Sequence, residues 1–226
     1  MGLWLASLAG GLPAETRARE RPDFRLRRGD VVFQVSRSAQ SEAIRTLTDS
    51  PYTHVGIVHF ENGEPRVFEA AGRVRSTPFD RWVARGRARH FVVKRLVDRD
   101  RRLSKTALAA MRRVAEGFRG KRYDFRFAWS DDRLYCSELV YKIYARGAGI
   151  RLSRKKRFGD YDLDGPVARR LARSRYEGPL PRSEPVVSPA ALFASKELVT
   201  VHVERGISDD PLQEGSGEGK DRTEGG

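Results

Sequence analysis

Cysteine is almost absent from this 226-residue chain: Cys136 stands alone. An intrachain disulfide is therefore excluded, and so is any zinc site built on several thiolates. Histidine is also scarce. His54, His59, His90 and His202 lie far apart and show no HExxH spacing. No apolar run approaches the roughly 18 residues that a membrane span requires. Neither a metal nor a cofactor is expected. Hydrophobic residues make up 39% of the chain, low for a globular protein but enough for one core.

Acidic residues are outnumbered, and the net charge is +14. An excess of this sign can mark a nucleic-acid or membrane partner. Here 36 of the 44 basic residues are Arg, spread along the chain, with the densest cluster at Arg151 to Arg157. Ala and Gly are abundant as well, so coding bias is a sufficient explanation. No dedicated nucleic-acid site is expected, while weak association with anionic surfaces stays open. The sequence says nothing of oligomeric state.

The two ends differ from the middle. Residues 1–24 read as a lead-in. Their start, Met1 to Ala14, is apolar and ends in small residues, like the remnant of a secretory signal without its charged beginning. That favours the periplasm or envelope over the cytoplasm. Residues 207–226 hold one Ile and one Leu among Gly, Ser and charged side chains, a composition expected to stay disordered. Residues 25–206 then form one domain.

Within that domain, turn signals separate short β-prone runs. Strands are expected at Val31 to Val35, His54 to Phe60, Arg66 to Ala70, His90 to Val97 and Leu198 to Val203. Helices are expected at Ser38 to Leu47, Ser104 to Phe118, Cys136 to Ala145 and Asp164 to Arg175, with a turn or two at Pro78 to Ala84. Lys121 to Arg133 is aromatic and irregular. Strands come first, then helices, then a late strand. This order predicts an α+β fold with an antiparallel sheet.

Cys136 opens a helix whose Leu139, Val140, Ile143 and Tyr144 share its face. A thiol at a helix N-terminus feels the positive end of the dipole and the free N–H groups. Both lower a thiol pKa of roughly 8.5 and favour the nucleophilic thiolate. The same N–H groups can hold an oxyanion. The plainer alternative is a small buried cysteine.

The hairpin supplies a base by arithmetic. A two-residue Asn62-Gly63 turn pairs Glu61 with Glu64, Val58 with Val67 and Gly56 with Glu69. His54 then shares a face with Glu69 as a diagonal neighbour, with backbones roughly 7–8 Å apart. Gly56 leaves room between them, and His59 points to the other face. Glu69 can therefore orient His54 and stabilise its cation. The alternative is a solvated polar face.

Together these stretches resemble the YiiX/YaeF-like permuted papain-like hydrolases of the NlpC superfamily. Leu26 to Gln34, with its Gly29-Asp30, is similar to the opening strand of that family. Tyr52 to Val58 is similar to its histidine strand, and Val67-Phe68-Glu69-Ala70 to its acid strand. Gly120 to Asp124, followed by Tyr135-Cys136-Ser137-Glu138-Leu139-Val140-Tyr141, is similar to its cysteine motif. Pro181 to Ser195 resembles its closing loop. The order His, acid, Cys is the permuted one. The resemblance implies a circularly permuted papain-like (NlpC-type) fold over about residues 25–200. It implies Cys136 as nucleophile, His54 as general base and Glu69 as orienting acid.

The expected activity is cysteine hydrolysis of an amide (peptide or N-acyl) or ester bond through an acyl-enzyme on Cys136. One alternative is an acyltransferase or lipid esterase of the same fold. Another is a non-enzymatic module that binds anionic polymers or membranes. The substrate is then a peptide, an N-acyl compound or a lipid. Other residues carry weaker expectations. Glu138 serves the helix dipole more simply than a substrate amine. Tyr123 and Tyr135 line the cleft or pack. Trp82, Trp129 and Phe127 are core or lid residues. Gln34 is a lesser candidate for an oxyanion donor.

Overall fold

A computed structural model describes residues 24–205. The acidic tail and most of the lead-in lie outside the described residues. The first half comprises β1 (Val31–Ser36), α1 (Ala39–Thr48), β2 (His54–Glu61), β3 (Glu64–Ala71), β4 (Arg73–Pro78), α2 (Phe79–Arg85) and β5 (Gly86–Leu96). The second half begins with α3 (Arg99–Arg102), α4 (Lys105–Phe118), β6 (Arg122–Tyr123), β7 (Arg133–Leu134) and α5 (Cys136–Ala148). It ends with β8 (Lys156–Arg157), α6 (Pro166–Arg173), β9 (Pro185–Val186), α7 (Pro189–Phe193) and β10 (Leu198–Glu204).

Six strands run antiparallel in the order β10-β5-β1-β2-β3-β4, and the short β6 and β7 extend the β4 edge as a parallel pair. This is the expected α+β architecture. Alternation along the strands sends side chains to two faces. Val31, Phe33, Val55, Ile57 and Phe68 pack against α4 and α5. Val32, Val58, Val67 and Phe91 pack against Trp82 and Val83 of α2. Each such fully buried side chain contributes about 1.5–3 kcal/mol.

The Gly29-Asp30 pair anchors the start of β1. Asp30 is fully buried, and both of its oxygens accept from Arg95 at 2.8 Å. Its Oδ2 also accepts the Arg27 N–H at 2.8 Å. Phe24, the last residue of the expected lead-in, belongs to the fold, because its ring stacks on His202 and packs on the α2 side.

Two helices position the site. Ser104 Oγ accepts the Ala107 N–H and caps α4, as its sequence predicts. α5 is buried from Cys136 through Tyr144, so more than its apolar stripe is covered. Gly147 does not end α5. A Cβ there would stand 2.5 Å from Met111 Cα, so the residue is a close backbone contact between α4 and α5. The helix closes at Gly149 with φ +70°.

Several expectations change. β4 is a strand that the sequence reading left out. β5 starts at Gly86 rather than His90, and Ala88 and Arg89 in its first turn of chain have positive φ. α6 is shorter at both ends than Asp164 to Arg175.

Candidate active site

The β2–β3 hairpin has the expected register. Asn62 and Gly63 both have positive φ, which gives the tight two-residue turn, and Glu61 faces Glu64 while Val58 faces Val67. Further along, β3 approaches Gly56 closely. A Cβ on Gly56 would stand 2.3 Å from Val67 Cγ1 and 3.5 Å from Glu69 Cβ. The bare glycine lets the side chains of His54 and Glu69 meet, with His54 Nε2 at 2.6 Å from Glu69 Oε2. His59 lies on the other face, 2.9 Å from Ser76 Oγ.

α5 packs across β2 and β3, which carries its first residue to the histidine. The Cys136 thiol lies beside the His54 imidazole, near enough for each to shift the other's proton affinity. With Nε2 engaged by Glu69, Nδ1 is the ring nitrogen left for the thiol. Sulfur, imidazole and carboxylate thus form one line, drawn from α5, β2 and β3. Ser137 Oγ donates to the Val187 carbonyl at 2.7 Å, and the Val187 N–H donates to Tyr135 Oη at 3.2 Å. The residues on both sides of Cys136 are therefore clamped to the closing loop.

The electrostatics follow from these contacts. Burial pulls the His54 pKa down, but hydrogen bonds and charges from Cys136 and Glu69 outweigh it and raise it to about 9. Burial pushes the Glu69 carboxyl up. The His54 hydrogen bond, the charges of His54 and Arg85, and the Thr77 hydrogen bond reverse that and hold it at about 2. Burial also raises the Cys136 thiol. The His54 hydrogen bond and charge, with the N–H groups of Val55 and Ser137, bring it below its ordinary value. The pair therefore favours thiolate and imidazolium.

Glu69 has further partners that its sequence context does not reveal. Thr77 Oγ1 donates to its Oε1 at 2.6 Å, Arg85 donates to the same oxygen, and Arg75 Nε lies 3.5 Å away. Thr77 and Arg75 face Glu69 only because β4 exists. Trp82, a core residue, places its ring behind His54, with centroids 6.3 Å apart.

The cleft has two limbs, which share Ile44 and Tyr123. The limb at Cys136 is apolar, walled by Leu47, Phe127, Leu163, Val187 and others, with no charged residue in its lining among the described residues. Its volume is about 70 Å³. One water needs roughly 10–15 Å³ on that measure, so a short chain of several heavy atoms fits. The limb at His54 is polar and is lined by Gln34, Gln40, Thr53, Arg75 and Arg85.

The sequence model of the permuted papain-like amidases of the YaeF/YiiX type matches residues 25–202. This chain belongs to that family. YiiX of Escherichia coli, a protein described as uncharacterized, is 40% identical over 178 residues, which span 76% of this chain and 84% of YiiX. The crystal structure of an Escherichia coli YiiX covers 80% of this chain and 99% of its own, with TM-score 0.75 and 40% identity. The permuted papain-like fold expected from the motifs is therefore the fold of this chain. That YiiX is described as a metalloprotein. The donors here do not fit a chelate. Among the described residues no three His, Cys, Asp or Glu side chains gather around one point, and Glu69 is already engaged by His54, Thr77 and Arg85.

The weaker candidates separate clearly within this family fold. Tyr123 lines both limbs, contacts the Cys136 thiol and accepts from Gln40 Nε2 at 3.4 Å. Tyr135 and Phe127 wall the apolar limb, whereas Trp129 packs away from it against Tyr141. Glu138 is fully buried, with Lys142 Nζ 2.7 Å from it, and lines neither limb. Gln34 is buried opposite His54 in the β1–β2 register and lines the polar limb, not the apolar one that holds Cys136.

Proposed function

We propose that this chain hydrolyses an amide or ester bond with Cys136 as nucleophile, His54 as general base and acid, and Glu69 as the residue that orients His54. The observation that carries the reading is that Cys136, His54 and Glu69, from three separate elements, come together, with His54 Nε2 2.6 Å from Glu69 Oε2. The Cys136 thiolate attacks the carbonyl carbon, and a C–S bond forms. The oxyanion develops at the N-terminus of α5, where backbone N–H groups are free of intrahelical partners. The C–N or C–O bond then breaks, and the His54 imidazolium gives its proton to the leaving atom. His54 next takes a proton from water, whose oxygen attacks the thioester. The carboxylic acid leaves, and the thiolate returns.

The apolar limb beside the sulfur supports an acyl group with an apolar chain. The same feature favours the second reading, a lipid esterase or acyltransferase, in which an amine or alcohol replaces water in the last step. Both readings predict a thioester on Cys136. Intact-mass spectrometry after mixing with short-chain acyl-amino acids and lipid esters should show an acyl adduct that Cys136→Ser prevents from forming as a thioester. Iodoacetamide should label Cys136 rapidly near neutral pH, and His54→Ala should slow the labelling. Equal, slow labelling of both proteins would refute the nucleophile assignment.

A further inference from the structure

The polar limb shows an imbalance of charge that the hydrolytic reading leaves unused. Among the described residues two guanidiniums, Arg75 and Arg85, line it, and no Asp or Glu does. Among the described residues the carboxylate they approach is Glu69, which is sealed beneath them. Glu69 offsets one positive charge, and the thiolate–imidazolium pair is neutral as a unit. One guanidinium charge therefore remains. Arg85 lies tight against Glu69, whereas Arg75 approaches only to 3.5 Å and makes no other ion pair among the described residues. The Arg75 side chain is 48% exposed, so it is within reach of a ligand. A third guanidinium, Arg175, donates at 3.0 Å to Oε1 of Gln40, a lining residue of the same limb.

The chemistry fixes which end of a substrate enters here. The leaving group collects its proton from His54, so it departs on the His54 side of the cleft. That side is the polar limb. The acyl side stays with Cys136 in the apolar limb, where no cation can meet an anion.

We infer that the polar limb is an anion subsite in which Arg75 receives a carboxylate or phosphate carried by the leaving group. The substrate is then an amphipathic amide or ester, with an apolar acyl chain and an anionic amine or alcohol portion. The inference rests on the hydrolytic reading for the direction of the substrate. The subsite itself can be tested without turnover.

The test uses the full chain with Cys136→Ala, so that ligands bind and do not react. Calorimetry compares N-hexanoylglycine, which carries a carboxylate, N-hexanoyl-phosphoethanolamine, which carries a phosphate, and neutral N-hexanoylglycinamide. At least one anion should bind about fivefold tighter than the neutral amide, the effect of one partly exposed charge pair. The tighter of the two identifies the anion, and added salt should shrink the preference. In the Cys136→Ala, Arg75→Gln double variant the preference should fall to about one, with Arg75→Lys restoring part of it. Equal affinity for all three ligands, or no binding of any, overturns the subsite. So does a preference that survives Arg75→Gln. Labelling of wild-type Cys136 by iodoacetamide is read separately. A preference for the anion with an inert thiol would sink the nucleophile and leave the subsite standing.

Discussion

Glu69 and Glu138 are both fully shut off from solvent, yet their acidities move in opposite directions. Burial raises both. Glu69 has His54, Thr77 and Arg85 as donors with Arg75 close by, and it is held at about 2. Glu138 has Lys142, which is shared with Asp131 at 2.8 Å, and a long 3.4 Å contact from the Tyr135 N–H. Burial prevails over those partners and pushes Glu138 up to about 7. The number of committed donors decides the outcome, not the depth of the group. A carboxylate that stays ionised can stabilise an imidazolium and fix its orientation. One poised near neutrality and facing a lysine serves the interior of α5 instead.

The largest expected effect breaks this comparison at the first glutamate. Glu69→Gln keeps the shape but removes the negative charge beside His54, and under the proposed mechanism turnover should fall by roughly 10²–10⁴. Glu138→Gln should leave turnover nearly as it was, because that side chain touches neither limb of the cleft. Steady-state rates on a single acyl substrate check both. Similar losses in the two variants would mean that Glu69 acts as a buried structural acid rather than as the partner of His54.

A second break comes through the backbone. Gly56→Val would drive a Cβ to 2.3 Å from Val67 Cγ1 and 3.0 Å from the Phe68 carbonyl oxygen. Overpacking of this kind costs about 1–3 kcal/mol, and it would also displace Glu69 from His54. Melting temperature and turnover should both drop. Gly117→Ala in α4 is the contrast, since nothing lies within 4 Å of the added carbon. It should be neutral or raise stability by about 0.5–1 kcal/mol.

Much of this site was legible because its parts obey short-range rules. The Asn62-Gly63 turn sets the register, and register alone puts His54 and Glu69 on one face. Cys136 begins a helix that its own apolar spacing announces. What stayed hidden depends on distant segments. β4 reads Arg-Val-Arg-Ser-Thr-Pro, with two arginines and a proline in six residues, so its β signal is weak. It forms because β3 offers it a partner, and Val74 and Thr77 are buried while Arg73 and Arg75 are exposed. Two of the partners of Glu69, Thr77 and Arg75, come from this strand. Composition also cannot show where charges converge. Arginines spread evenly along a chain look like background, yet Arg75 and Arg85 meet at one carboxylate in space. Gly147 posed a similar ambiguity, because a glycine near a helix end reads as a terminator until the neighbouring helix is seen to press on it.

The smallest expected effect sharpens the comparison through pH. In the folded protein the Glu69 pKa drops from an ordinary 4.5 to about 2. The unfolded chain then binds its proton first as pH falls, so the stability that Glu69 contributes is full above 4.5 and is lost as pH falls through about 2. Glu138 moves from 4.5 to about 7, so the folded chain holds its proton longer. Its contribution is full below 4.5 and is lost as pH rises through about 7. Urea midpoints measured across pH for wild type and both glutamine variants should separate the two windows. Glu69→Gln should flatten the acid limb below 4.5, and Glu138→Gln should flatten the slope between 4.5 and 7. His54 rises from 6.5 to about 9, so its loss falls mainly at higher pH and overlaps the Glu138 window only at its edge. Flattening of one common window by both variants would mean that the two carboxylates titrate as a single network, and the donor-count account of their difference would fail.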